Sequence, residues 1–336
     1  MKAKILVAAL AAGMVASPAM AAVSFSGQVS NVVSLGGDFD EDFNVAQNNA
    51  SGSRFRFKAE KKWGGIKVGL RHEIQNRKGS DGSNDTGGTI GLTPEATANG
   101  LGGTAAGDGQ GQDDLRFSDV YFAGNFGKLS IGQGTGAADG ISEAYAGITG
   151  NYFGGADSFW FAVATSGISG GTAFDFNNLD FLGRNQRVRY DSPKFGGLQI
   201  SGSIRSEDGE ELAARYKGKF GGWTIGANFG YSSLNGNDRT GVSGGFITPF
   251  GLNIAGRYVE GEGEDETSLV TVGYRLGKFR SSLEFGTRTT FAGVDTDVTT
   301  FGVTYAGPVL VFAQIGEFER GEEDFSAPLV GVRMKF

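Results

Sequence analysis

Alternation of apolar and polar side chains with a period of two runs through most of this chain, and it constrains the fold more than any other feature. The clearest stretch is 54–63, whose apolar face carries Phe55, Phe57, Ala59 and Trp63. The opposite face of that stretch is charged and carries Arg54, Arg56, Lys58, Glu60 and Lys62. Such alternation is typical of β-strands with one apolar and one wet face. The pattern therefore predicts an all-β protein.

The connections between these alternating stretches fall into two groups. One group is short, rich in glycine and flanked by large apolar side chains, at 63–66, 126–129, 195–198, 220–223, 250–252, 276–279 and 307–308. The other group is longer and polar or acidic, at 77–114, 206–210, 235–239, 261–266, 290–297 and 320–326. Short turns on one rim and long loops on the other are typical of outer-membrane β-barrels, and a soluble sandwich gives no reason for this asymmetry.

Together with a polar loop at 36–51 and the irregular segment 134–183, these connections number fifteen and separate sixteen strands. An even number suits a closed antiparallel sheet, and a barrel of this size encloses an aqueous channel. The charged face has to be wet, because a lysine or arginine facing lipid at the midplane costs about 2–4 kcal/mol. We therefore predict a 16-stranded antiparallel transmembrane β-barrel.

The first 21 residues have the pattern of a secretory signal peptide. Lys2 and Lys4 precede an apolar stretch at 5–16, and a small-residue cleavage site follows at 19–21. The apolar stretch of about 12 residues is shorter than the roughly 20 that a spanning helix needs. We predict that residues 22–336 form one barrel domain with a formal charge of −9, since the full chain carries −7 and the removed segment contains two lysines.

The segment 134–183 interrupts the regular order of strands and turns for some fifty residues. It has neither a helical period nor an alternating stretch long enough to cross a bilayer. We predict that it folds into the lumen, where its acidic side chains narrow the pore: Asp139, Glu143, Asp157, Asp175 and Asp180. Asp139 and Glu143, which directly follow a predicted strand, are the best candidates for the constriction. The alternative is an acidic surface loop in contact with solvent.

The chain ends within an alternating stretch, on the aromatic residue Phe336. Over the last ten residues Val330, Val332 and Met334 lie on the same face as Phe336, and Arg333 and Lys335 lie on the other. This ending is expected if the last strand pairs with the first, because closure removes the open edge of the sheet.

In their order and spacing along the chain, the stretches 23–27, 53–60, 121–132, 187–198 and 330–336 resemble the general porins of Gram-negative outer membranes. The resemblance covers the whole predicted mature chain. It implies a homotrimer in outer-membrane lipid, passive diffusion of small hydrophilic solutes and ions, and an inward-folded loop after the fifth strand. It also implies that the barrel-assembly machinery recognises the terminal Phe336. No cofactor and no nucleic-acid partner are expected.

Basic residues of the predicted pore wall complete this picture. The second and third strands bring together Arg54, Arg56, Lys58 and Arg71, where a local positive field is expected. The resemblance implies a basic cluster facing the acidic loop and adds Arg187 and Arg189. It also sets Asp119 where relatives often carry arginine, with Arg116 as a neighbouring substitute. The net charge of −9 by itself predicts a weak preference for cations.

Acidic clusters at 38–42, 262–266 and 322–324 suggest weak binding of Ca²⁺, or bridging to lipopolysaccharide through divalent ions. No EF-hand spacing is present, and acidic loops in contact with solvent are the simpler interpretation. Catalysis is disfavoured, because His72 is the only histidine and cannot form a metal pair or a Ser-His relay with another. Three alternatives to a general porin remain: a substrate-selective porin, a plugged structural or adhesive barrel, and an outer-membrane enzyme such as a phospholipase.

Overall fold

A computed structural model describes residues 22–35, 44–47, 53–76, 113–142, 181–205, 208–263, 265–289, 293, 295–321 and 323–336. Its strands are β1 (Ala22–Ser34), β2 (Asn44–Gln47), β3 (Arg54–Trp63), β4 (Ile66–Asn76), β5 (Asp113–Gly124), β6 (Gly127–Thr135), β7 (Arg184–Asp191), β8 (Leu198–Arg205), β9 (Gly209–Phe220), β10 (Trp223–Leu234), β11 (Asn237–Ile247), β12 (Leu252–Glu260), β13 (Glu266–Leu276), β14 (Phe279–Thr289), β15 (Asp295–Ala306), β16 (Val309–Arg320) and β17 (Glu323–Lys335). Within these ranges no helix is long and apolar enough to cross a membrane. The predicted signal peptide, 1–21, lies outside the described residues.

These strands close into one antiparallel barrel. β17 pairs with β1 from Gln28↔Lys335 to Ser34↔Leu329, which joins the two ends of the sheet. β2 and β3 share one position in the barrel, because β2 pairs with residues 31–34 of β1 and β3 pairs with residues 22–28. The 17 strands therefore occupy 16 positions, and the predicted fold is confirmed.

Alternation places apolar side chains on the outer face of the barrel and polar ones on the inner face. Phe25, Phe55 and Phe285 are exposed on the outside, and the rings of Phe25 and Phe55 lie 5.8 Å apart. Buried polar side chains such as Ser30 and Thr271 point inward. The outer face therefore suits hydrocarbon and the inner face suits water, as a membrane channel requires.

The contrast between short and long connections is weaker than the sequence predicts. β10 and β11 are joined by Asn235 and Gly236 alone, with φ angles of 53° and 85°. Positive φ at both central residues defines the type I′ hairpin turn, for which Asn-Gly is a preferred pair. The prediction of longer polar connections at 235–239 and 320–326 is wrong, since β16 ends at Arg320 and β17 begins at Glu323.

A β-bulge between β4 and β5 changes which side chains of β5 reach the lumen. The register shifts between Glu73 and Ile74, so that Glu73 pairs with Phe117 and Ile74 pairs with Leu115. Arg116 is the extra residue, and it lies on the inner face together with Phe117 and Asp119. Without the bulge, residues 116 and 119 would face opposite sides of the sheet.

Candidate pore-lining site

Glu73 on β4 is the centre of a basic cluster on the inner wall. Its side chain is fully buried, and its carboxylate contacts Arg54 at 3.5 Å, Arg116 at 2.9 Å and Arg56. Arg116 also donates from Nη1 to Oε1 of Gln75 at 2.8 Å. This part of the wall carries a net positive charge, because one carboxylate pairs with three guanidinium groups.

Asp119 on β5 is the centre of a second cluster. Its Oδ2 contacts Nη2 of Arg71 at 2.9 Å and Nη2 of Arg187 at 2.8 Å. Arg187 also donates from Nη1 to the carbonyl oxygen of Gly132 at 2.7 Å and from Nε to that of Thr135 at 2.9 Å. The guanidinium of Arg71 stacks 3.6 Å above the ring centroid of Phe117. The cluster therefore ties β4, β5, β6 and β7 together.

Arg189 links the wall to the start of the segment 134–183. It forms an ion pair with Asp191 at 2.8 Å. Its Nη1 also donates to Oγ1 of Thr135 at 3.2 Å and to the carbonyl oxygen of Gly136. Arg189 therefore fixes the point at which the chain leaves β6.

Both ends of the segment 134–183 lie against the inner wall on β8 and β9. Ser203 accepts a hydrogen bond from the amide of Ala137 at 2.8 Å. Arg215 donates to the carbonyl oxygens of Ala137 at 2.6 Å and Asp139 at 2.8 Å. From the far end of the segment, the amide of Leu182 donates to Glu211 at 3.2 Å. These contacts turn the described parts of the segment, 134–142 and 181–183, into the barrel.

A small apolar cluster adds to these hydrogen bonds. Ala138, Ile141, Phe181 and Ala213 are all fully buried and bring together both ends of the segment and β9. Glycines on the wall make room for it: a Cβ on Gly241 would lie 2.7 Å from the ring of Phe181. The segment thus packs on a wall that lacks side chains where the rings approach.

Farther around the barrel, β11 and β12 hold the next residues of the segment. The Ser243 hydroxyl donates to the carbonyl oxygen of Ile141, and Arg257 donates to that of Ser142 at 3.3 Å. Arg257 forms a buried ion pair with Glu284 at 2.7 Å. The segment therefore contacts the inner wall over a continuous arc from β7 to β12.

The structure brings most of the predicted basic residues together. Arg54, Arg56 and Arg116 meet at Glu73, and Arg71 and Arg187 meet at Asp119. Lys58 stands apart from both clusters and pairs with Glu60 at 2.9 Å. Among the predicted acidic residues, Asp139 is half-buried beside Arg215, whereas Glu143, Asp157, Asp175 and Asp180 lie outside the described residues.

Sequence reasoning missed the carboxylates that neutralise the wall and two arginines that hold the segment. These are Glu73, Asp191, Glu211, Glu284, Arg215 and Arg257, and for Asp119, which the sequence marks as a departure from arginine, the missed feature is its role as a counter-charge. The alternation already places them on the inner face, and an inward acid beside an inward base was the available signal. The predicted wall is basic, whereas the described wall is a set of ion pairs with an excess of bases.

The predicted Ca²⁺ contacts concern the acidic connections at 38–42, 262–266 and 322–324. Among the described residues, no group of three carboxylate or histidine side chains could hold a metal ion. Asp265, in the predicted 262–266 cluster, instead contacts Arg288 at 2.9 Å and Arg239 at 3.5 Å. The cluster 38–42 lies outside the described residues, as do the side chains of 322–324.

Comparisons with known proteins agree with this geometry. The family model described as Gram-negative porin matches residues 7–320. Solved structures with the same fold include an anion-selective porin from Comamonas acidovorans, with a TM-score of 0.60 and 16% identity over 94% of this chain and all of that one. The trimer form of OmpT, an outer membrane protein of Vibrio cholerae, has a TM-score of 0.57 and 15% identity, covering 94% of this chain and 99% of that one.

A mutant of the Rh. blastica porin has a TM-score of 0.59 and 16% identity, over 94% of this chain and all of that one. No curated protein sequence matches the chain significantly. The identities to the solved structures are low, so these likenesses concern the fold.

Proposed function

The chain belongs to the Gram-negative porin family, and on that premise we propose how its lumen sorts solutes. The protein forms a channel in the outer membrane through which solutes diffuse passively. In our proposal the segment 134–183 narrows this channel. Its acidic residues, Asp139, Glu143, Asp157, Asp175 and Asp180, face the basic wall formed by β3, β4, β5 and β7. The solutes that pass through such a channel are small hydrophilic molecules and ions.

The observation that carries the proposal is the attachment of both ends of the segment to the wall. Residues 136–142 and 181–183 contact β7 to β12, whereas the basic clusters lie on β3 to β7. If the segment is held against one side of the lumen, the open passage lies next to the opposite side. Acids facing bases across such a passage would order water, which polar solutes can replace and apolar solutes can only disrupt.

Planar-bilayer recordings with purified protein test this proposal. We expect large ohmic steps for the unmodified chain. The double variant Asp139→Asn with Glu143→Gln is expected to shift the reversal potential in a salt gradient towards anions, because two negative charges leave the narrow region. Glu260→Gln, at an exposed strand end, is the matched control. An unchanged conductance and reversal potential in the double variant would exclude these carboxylates from the constriction.

The same recordings separate the remaining alternatives. A folded, inserted protein that passes no current would be a plugged structural or adhesive barrel, and a saturating current for one solute would indicate a substrate-selective porin. The weak cation preference predicted from net charge stays a prediction, and the excess of bases on the described wall acts against it. We infer a channel rather than an enzyme, because His72 is the only histidine of the sequence. It lies on the outer face of β4, between Phe57 and Ser118 in the ladder, and hydrolysis of phospholipid by the purified protein would overturn this inference.

We further propose a homotrimer, as the OmpT relative adopts in its trimer form. Grouped conductance steps of three would support it. The exposed apolar side chains of the outer face would then contact either neighbouring subunits or outer-membrane lipid. Contacts with lipopolysaccharide through Ca²⁺ at the acidic connections also remain a prediction.

The position of Phe336 in the barrel supports our proposal that this residue is an assembly signal. Its amide donates to the carbonyl oxygen of Gly27 at 3.1 Å, and its own carbonyl accepts from the Gly27 amide at 2.9 Å. Its ring is exposed at the end of the closing strand. We expect Phe336→Ala to lower the yield of barrel in the outer membrane while purified protein still folds in detergent, which heat-dependent gel mobility would measure. Equal membrane yields for both chains would remove the role proposed for Phe336.

A further inference from the structure

A cavity of about 340 Å³ lies at the seam where β17 closes the barrel onto β1 and β3. Its charged lining consists of Arg54 and Arg56 from β3, Glu73 from β4, and Arg333 and Lys335 from β17. Ser26 and Gln28 of β1 add a hydroxyl and an amide. Arg333 and Lys335 lie on the lumen face of the last strand and line the cavity from the β17 side of the seam.

The cavity lining carries a net positive charge. Arg54, Arg56, Arg333 and Lys335 supply four positive charges, and Glu73 supplies one negative charge. Glu73 is fully buried and is shared with Arg116, a further cation. Two cations come from each side of the seam, so an anion placed between β3 and β17 would meet positive charge on both sides.

We propose that this cavity, the seam site, binds a phosphate group, either free or carried on a small organic molecule. Guanidinium groups form paired hydrogen bonds with phosphate oxygens, and a lysine ammonium adds a point charge. A phosphate has a double charge and three or more acceptor oxygens on one tetrahedral head, which matches cations arriving from two strands. A carboxylate offers one charge in a plane. The volume leaves room for an organic group beyond the phosphate. The proposal rests on the proposed function, since the ligand reaches the site through the channel.

Current block by inorganic phosphate tests the proposal. In KCl of constant ionic strength, added phosphate is expected to reduce the current of the unmodified channel along a saturating curve. In the double variant Arg333→Gln with Lys335→Gln, the half-blocking concentration should rise about tenfold or more, because two charge-assisted hydrogen bonds are removed. Lys217→Gln with Lys219→Gln, two exposed cations of β9 outside the cavity, is the control and should block like the unmodified channel. Heat-dependent gel mobility shows that each variant is folded.

Glycerol phosphate and malonate complete the experiment. Block by both phosphate and glycerol phosphate supports the site as stated. The ratio of their half-blocking concentrations shows whether the free or the organic form binds better. Equal block by malonate would overturn the preference for phosphate. An effect of phosphate that never saturates, or that persists in the Arg333/Lys335 variant, would overturn the site while the conductance itself upholds the channel. A folded protein without conductance would instead reject the proposed function.

Discussion

An Asp119→Asn variant is expected to lose about 3–5 kcal/mol of its free energy of unfolding, because it leaves buried guanidinium groups without a counter-charge. Asp119 is fully buried and contacts Arg71 and Arg187, and the side chain of Arg187 is only 2% exposed. Water cannot replace the lost carboxylate around Arg187, so the full cost of the unpaired charge falls on the folded state. Arg71 is 23% exposed and would lose less.

Denaturant unfolding in detergent micelles, followed by tryptophan fluorescence, measures this loss. Glu260→Gln removes an acid from an exposed position and should leave the midpoint nearly unchanged. The double variant Asp119→Asn with Arg187→Met removes both partners of the buried pair and should recover most of the stability, since an apolar replacement of a buried ion pair is often neutral. A midpoint for Asp119→Asn within error of the unmodified protein would show that Asp119 does not hold the wall together.

The sequence was sufficient to predict the barrel because its evidence is local. Period-two alternation decides which face of a strand is wet, and the terminal Phe336 on an alternating strand indicated closure. The structure confirms the first through the exposed apolar and buried polar side chains, and the second through the pairing of β17 with β1. The prediction is wrong at 235–239, because polar composition there favours a long loop whereas Asn235-Gly236 forms a two-residue turn. Turn geometry outweighs composition at such a position.

The candidate site was only half predictable, for a physical reason. Alternation tells which side chains face the lumen, but the register between strands decides which of them meet. The bulge beside Ile74 places Arg116 next to Glu73, and no periodic pattern indicates such a bulge. In the sequence Asp119 stands out only as a departure from arginine, because a single position does not show that Arg71 and Arg187 converge on it.

The attachment of the segment 134–183 was beyond sequence reasoning for a related reason. Phe181 and Ile141 lie forty residues apart in the chain, in a segment with neither helical nor strand periodicity. No sequence pattern therefore indicates that they pack on each other. The wall on which they pack has no side chains at the points of contact, Gly230 and Gly241. Glycines in a strand indicate close approach of another group, but they do not indicate which group approaches.

A Phe181→Ala variant is expected to weaken the attachment of the segment to the wall by about 3–5 kcal/mol, the usual cost of removing a buried aromatic ring. Phe181 is fully buried against Ile141 and the wall glycines, and it belongs to no strand of the barrel. The loss therefore falls on the attachment and leaves the ladder of strands intact. Its φ angle of 55° is as unfavourable for alanine as for phenylalanine, so the substitution isolates the contribution of the ring.

Single-channel recording is the measurement for this variant. We propose that the segment narrows the lumen, and a loosened segment would lie at no fixed distance from the basic wall. We therefore expect a larger mean conductance and stronger current fluctuations than in the unmodified channel. Phe250→Ala removes the same ring from an exposed turn between β11 and β12, where the side chain is 64% exposed, and should change neither quantity. If Phe181→Ala gave the conductance and noise of the unmodified protein, the ring would not position the segment. The position of the segment would then have to depend on its hydrogen bonds to the wall, such as those with Ser203, Glu211 and Arg215.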